Sequence, residues 1–355
     1  MQARAGSWER KSESQEQKNR EDGLAGGLWT GALSFGDGLP AADCQLSIIM
    51  DPIVMLGGAV LNVIMVLAAA PLLQGILRKI TARIQSRQGP PVLQPYFDLF
   101  KLLGKEDIEA GESPQMQRFS AILALGATLA VAAMVPMGFT APLNNAADAL
   151  LLIYLLTLCS ICTLLAGLAA GSTYSLLGIS REMMTMITLE PLLAVALMVA
   201  AIHGHSFRLD SVLGGSVYLG ARVPWSSLIM LAVILLSFQA FVQRVPFDIA
   251  EAETELMEGP LMEYSGPKLA LFRYAQMAKL VIYSGLFASL FLPWGTALPF
   301  PLGWLLFWAK VFVLVLLVTV VAATHARYRI DQAIRYFAGL LVVSLVALVL
   351  ASYGF

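Results

Sequence analysis

Charge is scarce in this sequence. Asp, Glu, Lys and Arg make up 13% of the 355 residues and the apolar share is 58%, whereas a soluble domain carries about a quarter charged residues and about half apolar ones. That balance excludes a water-soluble core and marks an integral membrane protein. The formal net charge is only -1, so no basic excess draws the chain to nucleic acid. Cysteine is also rare. Three residues build neither a disulfide framework nor an iron-sulfur cluster, which usually takes about four thiolates. Any redox centre must therefore belong to a partner. A phosphate loop, a dinucleotide fingerprint and a catalytic triad are missing too, and no residue is assigned as catalytic or metal-binding. Cys159 and Cys162 form a CxxC in the middle of an apolar run, which reads as small-residue helix packing. His203 and His205 read as solvated imidazoles at a membrane surface.

Long apolar runs are what the sequence has in abundance. Residues 1 to 49 are polar and Gly-rich, with no continuous apolar core of a signal peptide and a composition typical of disorder. From Met50 onward, runs of the roughly 20 residues needed to cross a bilayer recur eight times, at 53–77, 119–137, 149–170, 185–203, 225–243, 272–293, 302–324 and 334–353. The pattern predicts an all-α bundle of about eight transmembrane helices, forming one domain over 50–355. Amphipathic cytoplasmic helices are expected in the first and fifth connections.

Lys and Arg divide unevenly between the two sets of connections. Segments 78–118, 171–184, 244–273 and 325–335 hold fourteen, and the alternate connections hold two, Arg208 and Arg222. The positive-inside rule puts the basic set in the cytoplasm and both ends of the bundle outside. The five bases within 1–49 oppose that orientation. With the break in composition at Met50, they set the expectation that residues 1–49 are a polar extension that is not translated.

Three stretches in the basic connections stand out. The first, VPFDIAEAETELMEGPLMEYSG (Val245 to Gly266), gathers Asp248, Glu251, Glu253, Glu255, Glu258 and Glu263, a quarter of the 24 acids, without a base. Asp248 with Glu251 has capping-box spacing and Gly259-Pro260 is a stop signal, which together predict a short helix over 249–258. Capping accounts for two acids. For the other four, a solvated face and a proton-exchanging cluster fit equally well, since crowded carboxylates beside an apolar bundle hold protons more tightly. The second stretch, RKITARIQSRQGPPVLQPYFDLFKLLGKEDIEAGESP, places an amphipathic segment from Leu93 to Gly104 after a basic turn, with Phe97, Phe100 and Leu103 on one side. Such a segment lies at the interface or beneath a partner. In the third, YSLLGISREMMTMITLEPLL, Arg181 and Glu182 precede the fourth span and Glu190 falls inside it, next to Pro191. A carboxylate at membrane depth is costly and points to function. Lys279 and Lys310 are further intramembrane charges, and Lys279 is also placed to snorkel to the surface.

These three stretches, in this order, resemble the quinone-chamber membrane subunit of respiratory complex I and its relatives in energy-converting NiFe hydrogenases. The matching segments are QGPPVLQPYFDLFKLLGKE, YSLLGISRE with the later Glu190, and VPFDIAEAETELMEGPLMEYSG. GPPVLQP running straight through, the Arg181-Glu182 pair, GPLMEYSG, and Arg273 where complex I proteins are expected to carry a Glu are all similar to the hydrogenase branch of the formate hydrogenlyase type. The resemblance implies an energy-coupling anchor with no cofactor of its own. Partner subunits would carry the 4Fe-4S clusters and the NiFe centre: hydrogenase large and small subunits and ferredoxin-like Fe-S subunits, alongside antiporter-like membrane subunits in a bacterial or archaeal plasma membrane. It further implies that Asp248, Glu251, Glu253, Glu255, Glu258, Glu263, Glu182 and Glu190, with Arg181, serve a proton path. The partner arm is expected to dock on Arg83, Arg87, Gln94, Asp98, Lys101, Lys105 and Glu106. A quinone-reducing complex I subunit is the alternative reading, and Arg273 argues against a quinone site.

Overall fold

The computed structural model of the protein describes residues 41–108, 113–138, 147–213, 218, 224–250, 257, 259–294 and 301–354, with side chains from Met55 onward. The chain divides into two compact units, 1–53 and 54–355. What is described of the first is the start of helix α1, Ala41–Ile84. The second is a helical bundle, and among the described residues its only strand-like pairing is the bridge between Asp148 and Arg208.

The elements after α1 are α2 (Gln94–Leu103), α3 (Pro114–Met134), α4 (Ala149–Ala170), α5 (Thr173–His203), α6 (Leu209–Leu213), α7 (Trp225–Phe241), a 3-10 turn at Gly259–Leu261, α8 (Gly266–Phe291), α9 (Leu302–Thr324) and α10 (Ile330–Ser352). Each expected apolar run is helical. Among the described residues, six helices are long and apolar enough to span a membrane: the Met55–Ile84 part of α1, then α3, α4, α5, α9 and α10. Helix α7 is apolar but has only 17 residues. Helix α8, with 26 residues, carries Lys268, Arg273 and Lys279.

The fourth apolar helix starts at Thr173, twelve residues earlier than its hydropathy suggests. Gly171 ends α4 in the left-handed region at φ 71°, where a residue without Cβ is favoured. The Ser172 side chain then accepts the Ser175 N–H at 3.3 Å, capping α5. Two residues thus reverse the chain, and Arg181 and Glu182 lie within α5 rather than before it. Pro191 also sits inside α5, which stays helical to His203.

Helices α3 and α4 meet through Ala121, Ala124, Cys162, Ala166 and Ala170, small buried residues that let backbones approach closely. This minor core continues into Leu261, Tyr264 and Phe272. A larger core around Phe238, Leu280, Phe291 and Phe337 joins α5, α7, α8 and α10. The second and third sequence stretches are pinned to the first at glycines. A Cβ on Gly178 would lie 2.7 Å from Pro260 Cδ and 2.9 Å from Gly259 Cα, and one on Gly266, whose φ is 58°, would lie 2.7 Å from the Glu106 carbonyl oxygen.

Candidate functional site: two cavities and a shared wall

At one end of the bundle, α7 gives way to the connection 242–250. Gln243 turns left-handed at φ 55°, and from there the chain is held by hydrogen bonds and aromatic packing. Gln239 donates through Nε2 to the carbonyls of Val245 (2.6 Å) and Val318 (2.9 Å), tying the connection to α9. Tyr328 N–H donates to Pro246 O at 3.0 Å. Phe247 packs on Tyr328, Tyr336 and Phe337, with centroids 5.3, 5.5 and 4.9 Å away.

This anchoring delivers Asp248 to Arg327, whose Nη2 donates to Oδ2 at 3.1 Å. The expected helix does not begin here. Ile249 and Ala250 are not helical and are buried against the bundle, and Asp248 is engaged by a distant guanidinium. Glu251, Glu253, Glu255 and Glu258, with the rest of the segment predicted as helix, lie outside the described residues, apart from Met257, which is in a turn at φ 50°. Glu263 is half-buried just after the 3-10 turn.

Two cavities flank the connection. One, of about 50 Å³, lies among α4, α5, α7 and α8 and is lined by Thr157, Ser160, Glu182, Thr185, Glu190 and Tyr283 among others. Glu182 is 6% exposed, and its Oε1 accepts a hydrogen bond from Gln243 Nε2. Glu190, two turns further along α5, keeps Oε1 buried with no hydrogen-bond partner among the described residues. The other cavity, of about 650 Å³, is bounded by the end of α1, residues 85–90, the connection, α8 and α9. It carries Arg78, Arg87, Arg244 and Arg273. Gln243, Asp248 and Lys279 line both cavities. Lys279 is 7% exposed, so it does not snorkel but stays in the wall between them.

Beyond Tyr283 the polar lining stops. A smaller cavity there is bounded by Leu193, Ile234, Phe238, Phe287 and Phe291 with no polar surface, and Phe287 packs on Phe238 and Phe291 with centroids 5.4 Å apart in each case.

The residues expected to dock a partner fall into two groups. Arg83, Arg87, Lys101, Lys105 and Glu106 are exposed. Gln94 and Asp98 are half-buried and bonded within the chain: Asp98 accepts from Arg78 Nη1 and Gln94 Nε2, both at 3.0 Å. Helix α2 buries Pro95 and Leu99 and leaves Phe97, Phe100 and Leu103 exposed. Its far end is fastened by Asp107, which pairs with buried Lys268 at 3.2 Å. Tyr264, which binds the Ala166 carbonyl at 2.9 Å, has its phenol pushed up to about 12 by burial.

Sequence reasoning missed Gln243, Arg327 and the Asp107–Lys268 tie. No local pattern marks them, because their partners lie 61, 79 and 161 positions away. Among the described residues no cluster of His, Cys, Asp and Glu has the makings of a metal site.

The sequence pattern of the NADH dehydrogenase family matches residues 57–352. Hydrogenase-4 component C of Escherichia coli K12 is 36% identical over 271 residues, covering 76% of this chain and 85% of that protein. Formate hydrogenlyase subunit 4 of the same organism is 34% identical, covering 81% and 97%. NADH-ubiquinone oxidoreductase chain 1 of Patiria pectinifera is 31% identical, covering 80% and 89%. Among solved structures, a chain of the membrane-bound sulfane sulfur reductase, an archaeal respiratory membrane complex, superposes with a TM-score of 0.76 at 26% identity, covering 84% of this chain and 99% of that one.

Proposed function

Since the chain belongs to the NADH dehydrogenase subunit 1 family and is a membrane subunit of a respiratory oxidoreductase complex, we propose that it anchors the redox arm of a membrane-bound NiFe hydrogenase and couples electron transfer there to ion movement. The observation that carries this reading is the shared wall. Asp248 stands between a wide cavity at the end of the bundle and a narrower one holding two buried glutamates, Glu182 and Glu190. A change of charge in a docked arm acts on Asp248 and its neighbours, because the low dielectric around them screens charge weakly. Glu190, whose inner oxygen lacks a partner among the described residues, is the natural acceptor for a proton drawn inward.

The similarity to hydrogenase-4 and formate hydrogenlyase subunits supports the hydrogenase branch. Partner large and small subunits, ferredoxin-like subunits with 4Fe-4S clusters and antiporter-like subunits complete the proposed complex. Its arm faces the cytoplasm, where Arg83, Arg87, Lys101, Lys105 and Glu106 are exposed for docking. Glu251, Glu253, Glu255, Glu258 and Glu263 extend the acid path from Asp248. Nickel in the complex purified by a tag on this chain is the expected result. In proteoliposomes, Glu190→Gln should lower proton uptake per electron pair while hydrogen evolution by the complex continues. Uptake at the wild-type ratio would rule out Glu190 as a relay.

The size of the wider cavity and the similarity to NADH-ubiquinone oxidoreductase chain 1 favour a second reading, a quinone-reducing complex. Labelling of the cavity wall by a photoreactive quinone analogue, in a complex without nickel, would select it. Four arginines on that wall make it poorly suited to a neutral ring.

A further inference from the structure

We propose that Lys279 is the proton-carrying link between the two cavities. This deepens the coupling role proposed above and rests on it.

Among the described residues only Gln243, Asp248 and Lys279 border both spaces, so a proton crossing the wall by way of a described side chain passes one of these three. The Gln243 amide does not titrate, and its Nε2 is already given to Glu182. Asp248 Oδ2 is held by the Arg327 guanidinium, which keeps its charge at any physiological pH, so Asp248 stands at the head of the acid path as an ion-paired anion, and a proton passing beside it needs a carrier. Lys279 remains. It is buried at 7% exposure, and no direct salt bridge ties it to a described residue. Glu182 and Glu190 on α5, and Cys159 and Cys162 on α4, are within range of its charge. Asp248 with Arg327 faces it from the connection, and Arg273 shares its helix toward the wider cavity. Lysine suits this place as arginine does not, because a buried amine is able to release its proton and a guanidinium is not.

The step balances without any redox change. An Nζ–H bond of the Lys279 ammonium breaks as an O–H bond forms on the carboxylate of Glu182 or Glu190, directly or through water in the narrower cavity. The neutral amine then uses its lone pair to take the next proton from a hydronium ion in the wider cavity, whose O–H bond breaks and leaves water. One proton crosses the wall, and the lysine returns to its starting state.

The test uses the intact complex in proteoliposomes, read as protons taken up per electron pair. Lys279→Met and Lys279→Arg should each lower that ratio, the second because a guanidinium keeps the charge and refuses to give up the proton. In the Lys279→Ala complex, added ethylamine should restore uptake in proportion to its concentration, an effect that a packing defect would not show. Wild-type uptake in the Lys279→Arg complex, or a Lys279→Ala complex that assembles with the full subunit set and gains nothing from ethylamine, would overturn the proposal. Glu190→Gln, measured in parallel, separates the two failures. If Glu190→Gln is impaired and the lysine variants are not, Lys279 alone is misassigned; if all of them pump normally, the coupling reading itself falls.

Discussion

Tyr264 shows what one side chain does at the junction of the three sequence stretches. Its hydroxyl donates to Ala166 O on α4, its ring meets Phe272 edge-on at 5.3 Å, and burial raises its pKa from 10.0 to about 12. The folded state thus holds the phenolic proton more tightly than the unfolded chain. The resulting stabilisation is complete below about pH 10 and is lost as pH rises toward about 12. Tyr264→Phe should flatten the fall of the melting temperature between those pH values, measured on the detergent-solubilised complex. The charged residues at this scale are legible in the sequence only singly. Glu190 stands out as a carboxylate in an apolar run, and Glu182 as half of an Arg-Glu pair. Their surroundings are not legible, because Gln243 and Lys279 reach the narrower cavity from α7's end and from α8, and only the folded chain brings those segments beside α5.

Helix positions follow hydropathy closely, and helix ends do not. The N-terminal half of α5 reads as a connection because Arg181 and Glu182 interrupt the apolar run, yet Ser172 caps it and Glu182 is buried in the bundle. A charged residue ends a hydropathy window without ending a helix, and a cavity beside the helix is what reconciles the two. The converse error falls on Asp248. Its capping spacing is sound as a local signal, but Arg327 takes the carboxylate and Ile249 and Ala250 stay non-helical. Contacts between elements turn on glycine in the same way. Gly178 brings α5 against the Gly259–Leu261 turn with no room for a methyl group. Gly178→Ala should destabilise the subunit by about 1–3 kcal/mol, the usual scale of overpacking, seen as a lower thermal midpoint. Gly126→Ala, where a Cβ meets nothing within 4 Å, should not.

For the whole molecule, orientation is the expectation most open to direct measurement. Charge bias puts the connections around Lys101 and Arg329 on the cytoplasmic side and His205 on the other. Single cysteines at Lys101 and Arg329 should therefore react with an impermeant maleimide only in inverted vesicles, and one at His205 only in right-side-out cells; Cys159 and Cys162 are buried. Labelling of His205→Cys and Lys101→Cys from the same side would refute the alternation of the intervening helices. The aromatic packing of Phe238, Phe287 and Phe291 beyond Tyr283 also has an electrical meaning. Water-accessible space conducts and dry aromatic packing insulates, so a transmembrane potential falls mainly across that packing and only slightly across the cavities. A proton that reaches Glu190 by the proposed path would thus cross little of the field. On the proposed coupling role, the work of about 2.3 kcal/mol per charge per 100 mV is left to the step that carries it onward, and since no polar lining continues in this direction among the described residues, that reading sends the step sideways, into a membrane partner.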